Sequence, residues 1–151
     1  MSTIRKLAAA YSVLFFLVVA VGYIPGLKDA QGRLCGLFMI EWWDDALHIV
    51  SAIWAGVAAL RSYRAALLYF QTFGILYFLD GVVGFFFGQG YLDLGIIRFG
   101  PAQYDLATKI GANIPHLIIG GLAIWIGFVL SKRLAQRSAA QPATPSTPYA
   151  A

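Results

Sequence analysis

Charge and cysteine are what this chain has least of. Charged residues make up 12% of its 151 positions, against about a quarter in soluble domains, so an ordinary water-facing surface is excluded. A single cysteine, Cys35, excludes an intrachain disulfide and any cysteine-based zinc or iron–sulfur framework. The Gly-Arg-Leu before it is not the small-residue run that a lipidation site needs, which leaves an ordinary free thiol. Gly-x-Ser-x-Gly, the phosphate-binding P-loop, His-Glu-x-x-His and Gly-x-Gly-x-x-Gly do not occur. Without these signatures, the expectation is a protein that is not an enzyme.

What is present in excess is apolar. Hydrophobic residues make up 60% of the chain and fall in long blocks, the signature of bilayer-spanning helices. The blocks predict four helices, at about 7–24, 40–60, 65–87 and 110–130. Roughly 18 residues at 1.5 Å each reach about 27 Å, enough to span. A cleaved signal peptide is the rival for the first block, but its apolar run is longer than such leaders carry. Tyr23-Ile-Pro-Gly26, Arg61-Ser-Tyr-Arg64, Gly88-Gln-Gly90 and Ser131-Lys-Arg133 end the four blocks in turn. Residues 91–109 read as the longest loop, with its 94–97 piece along the interface. Residues 135–151 are rich in Ala, Pro, Ser, Thr and Gln and read as a disordered tail. The fold class expected is all-α: one four-helix transmembrane domain over 1–134, built from two tandem helical hairpins. These are related as in a parallel repeat.

The net charge of +4 is a topology signal, not a nucleic-acid footprint, because the bases flank apolar blocks. Arg5, Lys6, Arg61, Arg64, Lys132, Arg133 and Arg137 share one side with no acid among them. Lys28, Arg33, Arg98 and Lys109 lie on the other, mixed with Asp29, Glu41, Asp44, Asp45, Asp93 and Asp105. Both termini are therefore expected inside a bacterial cytoplasmic membrane, with Trp42, Trp43 and Tyr91 in the outer aromatic belt.

The candidate site lies at that outer end. Asp45-Ala-Leu-His48 and Asn113-Ile-Pro-His116 share one spacing at the heads of helices two and four, and Asp80 lies inside helix three. Counting 1.5 Å per residue puts His48, His116 and Asp80 at one level, about 10 Å inside the boundary. His48, Ala52, Ala55 and Ala59 share one helical face; His116, Gly120, Ala123 and Gly127 share another. Small residues at that spacing mark close helix packing, which turns both histidines inward. Gly74, Gly81, Gly84 and Gly88 make a packing series on helix three.

Three roles compete. In the leading one, Asp45 and Asn113, with Asp44 beside, cap their helices, Pro115 sits in a first turn, and the histidines bond Asp80 or a backbone carbonyl to pin the bundle. In the second, His48, His116 and Asp80 bind a divalent metal, or the two histidines ligate a haem. In the third they relay a proton or ion, which four helices accomplish only as an oligomer. The expected partners are the lipid bilayer and a homo-oligomer or other membrane protein, with no nucleic acid.

Gly22-Tyr-Ile-Pro-Gly26, Gly36-Leu-Phe38, the His48 helix start, Gly74, Tyr77 and Asn113-x-x-His116 together resemble a family of uncharacterised bacterial four-helix membrane proteins, a domain of unknown function. The resemblance covers residues of about 7–130. It implies a four-helix membrane fold and no particular activity. Where that family has Asn at the head of helix two, this chain has Asp45, an extra acid beside His48.

Overall fold

The computed structural model describes residues 1–30, 33–34, 38–39 and 42–140. Four long helices dominate: α1 (Thr3–Val21), α2 (Trp42–Arg61), α3 (Tyr63–Phe87) and α5 (Leu106–Trp125). A short α4 (Gly95–Phe99) lies in the loop before α5, and α5 continues through a π-helical turn (Ile126–Leu130) into α6 (Ser131–Ala140). Between α1 and α2, β1 (Arg33–Leu34) and β2 (Phe38–Met39) pair antiparallel. The two most extensive interfaces pair α1 with α2 and α3 with α5.

Among the described residues, three helices are long and apolar enough to cross a membrane: Thr3–Val21, Tyr63–Phe87 and Leu106–Ala140. The predicted fourth, α2, is long enough, but Asp44, Asp45 and His48 in its first turns dilute its apolar content. The surface agrees with a membrane setting. Val13, Leu17, Val57, Leu68, Ile118 and Leu122, spread over four helices, are each more than half exposed, far beyond the apolar patches a soluble monomer presents.

Local chemistry explains the helix ends. The α2–α3 turn is closed from both sides. Ser62 Oγ accepts from the Ala65 N–H at 3.1 Å, capping α3, while Arg5 of α1 reaches the exhausted end of α2. Its Nε donates to the Ala59 carbonyl at 2.6 Å and its Nη2 to the Leu60 carbonyl at 2.8 Å, satisfying orphan carbonyls with a cation where the helix dipole is negative. Gly88 ends α3 in the left-handed region at φ 82°, a conformation that costs glycine nothing.

The start of α5 departs from expectation. Hydropathy places it near Ile110, but Asp105 caps it: Oδ1 accepts from the Thr108 N–H at 3.0 Å and Oδ2 from the Thr108 hydroxyl at 2.8 Å. The Thr108 backbone bond, the larger influence, holds the Asp105 carboxyl below its usual range. A lowered folded pKa means that the cap's contribution is complete above the unfolded value near 3.9 and is lost as pH falls through the folded value. The melting-temperature gap between wild type and Asp105→Ala should therefore stay constant from about pH 7 to 5 and close below about pH 4. A gap that widened on acidification would contradict this assignment.

The other end of that helix also differs. The expected stop at Ser131-Lys-Arg133 is corrected, because the helix runs on to Ala140. A π-turn absorbs the register change: the Gly127 carbonyl accepts from Ser131 Oγ at 2.8 Å and from Gln71 Nε2 at 3.2 Å. The first six residues of the expected disordered tail are thus helical, and residues 141–151 lie outside the described residues. Ile40 and Glu41, expected in helix two, also lie outside them.

The core joins large rings to small faces. Tyr11 and Phe15 of α1 meet Tyr69, Phe70, Phe73 and Tyr77 of α3 edge to face, Tyr69, Phe73 and Tyr77 stack in a column along α3, and α2 contributes Ala52, Ala55 and Ala59, all buried. Between α3 and α5 the glycines do the fitting. A Cβ on Gly74 would lie 2.7 Å from the Ile124 nitrogen, and one on Gly120 would lie 2.5 Å from the Phe78 nitrogen. These are the small faces expected from spacing.

Candidate functional site

Asp80 is the centre of the polar site. It sits near the end of α3, 1% exposed, and accepts three hydrogen bonds. Oδ1 takes the Tyr91 N–H at 2.7 Å and the Leu92 N–H at 2.8 Å; Oδ2 takes Nδ1–H of His116 at 2.8 Å. The loop after α3 thus folds back onto its own helix and α5 closes from the other side. Gly90 makes this approach feasible, since a Cβ there would lie 2.6 Å from Asp80 Oδ1. Gly81 does the same for α5, its virtual Cβ standing 2.8 Å from His116 Cβ.

His48 joins through a residue that spacing alone did not flag as part of the site. The Tyr77 ring stacks on the His116 ring, centroids 4.4 Å apart, and its hydroxyl shares a 3.1 Å hydrogen bond with His48 Nε2. Phe15 stacks on the other imidazole at 5.7 Å. The two histidine rings end 6.5 Å apart, so the predicted trio does converge. Tyr77 was legible in principle: it precedes Asp80 by three residues, hence lies on the same helical face. The Tyr91 and Leu92 amides carried no such signal.

The expected caps are placed differently. Asn113 does not head its helix; it lies well inside α5, where Nδ2 donates to the Lys109 carbonyl at 2.9 Å and the side chain abuts Gly84. Pro115 is likewise interior, not in a first turn, so the Gly111 carbonyl loses its ladder bond. The reason is the earlier start that Asp105 gives α5. Asp44 and Asp45 do fall in the first turn of α2, where the helix dipole favours acids. The Asp45 carboxylate accepts from the Tyr23 hydroxyl at 2.7 Å, tying the turn after α1 to α2, and this bond raises the Tyr23 phenol above its ordinary value. Tyr91, whose hydroxyl donates to the Leu76 carbonyl at 2.8 Å, is also raised, through burial and then the charge of Asp80.

A haem or metal shared by both histidines fits these residues poorly. Tyr77 engages both of them, ring on His116 and hydroxyl on His48. His48 Nδ1 is buried beside the Asp44 backbone without a bond of acceptable geometry. Both Asp80 oxygens are engaged, and among the described residues no group of three or more His, Cys, Asp or Glu side chains is arranged to hold a metal. A relay meets a different obstacle. Below Tyr77 the α3 column continues through Phe73, which carries no polar atom, to Tyr69, whose buried hydroxyl has no partner.

Beside the cluster lies a cavity of about 830 Å³, reached by His48, Tyr77, Asp80 and His116 and bounded by Trp43 and Lys109. Trp43 is held in turn by Arg98 from α4, whose guanidinium lies 4.7 Å over its ring. Fold and site together define a predominantly helical protein with, among the described residues, three membrane-capable helices and a partly buried Asp–His–Tyr–His cluster at one end. No family model matches the chain, nor does any curated protein or solved structure.

Proposed function

We propose that this chain is a non-enzymatic, four-helix, multi-pass protein of a bacterial cytoplasmic membrane. Its Asp80–His116 and Tyr77–His48 pairs fasten the helices at the outer end, and it works through a homo-oligomer or a membrane-protein partner. One observation carries the reading: Asp80 accepts hydrogen bonds from two amides of the following loop and from an imidazole of α5. A carboxylate with its acceptors used this way is a fastener between segments, and leaving it unpaired in hydrocarbon would cost several kcal/mol. α2 serves as the fourth span in this reading, with Asp44 and Asp45 at its mouth and His48 bonded to Tyr77. The distribution of bases supports placing both ends of the chain inside.

Two measurements test it. Purified protein should be colourless and free of stoichiometric metal, and His48→Ala and His116→Ala should each lower its melting temperature. A Soret band or bound metal lost in those variants would overturn the reading. For orientation, the lone Cys35 should react with a membrane-impermeant maleimide added outside intact cells, whereas a C-terminal tag should be reached only after permeabilisation. The reverse pattern would invert the topology.

A further inference from the structure

The end of the molecule opposite the cluster carries a charge pattern that the proposed function uses only as a topology signal. Arg5 and Lys6 open α1, Arg61 and Arg64 flank the α2–α3 turn, and Lys132, Arg133 and Arg137 lie on α6. Arg5 is spent on the carbonyls that end α2. The remaining six are exposed. No Asp or Glu occurs at residues 1–28, 46–79 or 106–140, so none of the elements meeting at this end offers a partner. In a chain so poor in charge, a one-signed cluster is self-repulsive unless anions come from outside.

The same end holds a second cavity, of about 410 Å³, where α1, α3 and α6 converge. The hydroxyl-bearing residues Ser2, Thr3 and Tyr63 line its wall, with Ser138, whose hydroxyl donates to the Leu134 carbonyl at 3.1 Å, and Ile4 and Leu134 line its apolar side. The continued helix creates this arrangement. On α6, Ser131 is buried and Leu134 half-buried toward the bundle, while Lys132, Arg133 and Arg137 face outward. A chain that stopped being helical at Ser131 would have neither the third wall nor the aligned bases.

A mixed hydroxyl and apolar cleft beside six bases that have no acidic partner among the described residues, on a molecule whose flanks are apolar, matches one chemistry: a phosphodiester headgroup joined to acyl chains. We propose that this end is a binding site for an anionic phospholipid of the phosphatidylglycerol type. The phosphate is held at the hydroxyl-lined cavity and the bases neutralise the headgroups around it. The inference rests on the membrane reading above but goes beyond it, because a spanning helix requires only lipid and not a particular headgroup charge. Basic clusters next to spanning helices gain about fivefold in affinity per base near an anionic surface.

The test uses the full chain in detergent micelles with equal amounts of phosphatidylglycerol and phosphatidylcholine of matched acyl chains, read by native mass spectrometry. Wild type should retain the anionic lipid in about tenfold excess or more, and added salt should reduce that excess. Lys132→Gln/Arg133→Gln/Arg137→Gln should lose most of it, while Lys109→Gln, at the opposite end, should behave as wild type. Equal uptake of the two lipids by wild type, or an unchanged preference in the triple variant, would overturn the proposal. If the triple variant fails to fold, Arg137→Gln alone, on the exposed last turn of α6, must cut the preference by about fivefold. Liposomes of phosphatidylcholine alone separate the two readings. Protein washed off by carbonate refutes the membrane reading, whereas protein retained without headgroup preference refutes only this inference.

Discussion

Replacing Asp80 with alanine should produce the largest loss of stability of any single substitution in this chain. Two loop amides and the His116 imidazole would each lose the acceptor that the almost fully buried Asp80 provides. Breaking a buried pair of this kind costs about 3–5 kcal/mol. At this chain length that corresponds to a fall in melting temperature on the order of 10 °C. Asp80→Asn should fall between, since its oxygen can still receive the Tyr91 and Leu92 N–H groups while the charge opposite His116 is gone. Thermal unfolding in one detergent, followed by tryptophan fluorescence, gives the comparison. An alanine variant that melts within a degree or two of wild type would show that the carboxylate does not fasten the helices.

The second large effect distinguishes two adjacent glycines. Gly120→Ala places a methyl group 2.5 Å from the Phe78 backbone nitrogen and 2.7 Å from its Cα. Backbone atoms cannot swing aside, so α3 and α5 must separate, and the cost expected of such overpacking is about 1–3 kcal/mol. Gly74→Ala, facing the Ile124 nitrogen at 2.7 Å, should behave alike. Gly121→Ala meets only the Phe78 ring at 3.8 Å, ordinary contact, and exchanges glycine for the best helix former, a gain of up to about 1 kcal/mol. The opposite signs at neighbouring positions are the readout. If both substitutions were neutral, the close α3–α5 contact would not exist in the folded protein.

Much of this arrangement is legible in the sequence. The alanine face of α2 and the glycine face of α5 follow from helical period alone, because residues three or four apart must share a face. The convergence of His48, His116 and Asp80 followed from counting depth along helices of known rise. Both kinds of inference depend only on distances along one helix. Asn113 and Pro115 were misplaced because hydropathy locates apolar blocks, whereas helix starts obey capping; Asp105 and Thr108 begin α5 while the sequence is still polar. Tyr77 escaped notice as a site residue because a tyrosine in an apolar helix looks like core until both ring and hydroxyl are found engaged.

The sequence by itself determined the broad plan: apolar helices, segments with bases and no acid alternating with segments that mix the two, and small-residue faces that turn two histidines inward. These are local or one-dimensional properties, written in composition and period. Only the tertiary structure decided that the loop after α3 closes its amides on Asp80, that Tyr77 stacks on one histidine and bonds the other, and that α5 passes through a π-turn into a helix carrying Lys132, Arg133 and Arg137. Each of those depends on the register of one segment against another that is distant in the chain. Close packing settles that register, through such details as the Cβ that Gly90 lacks.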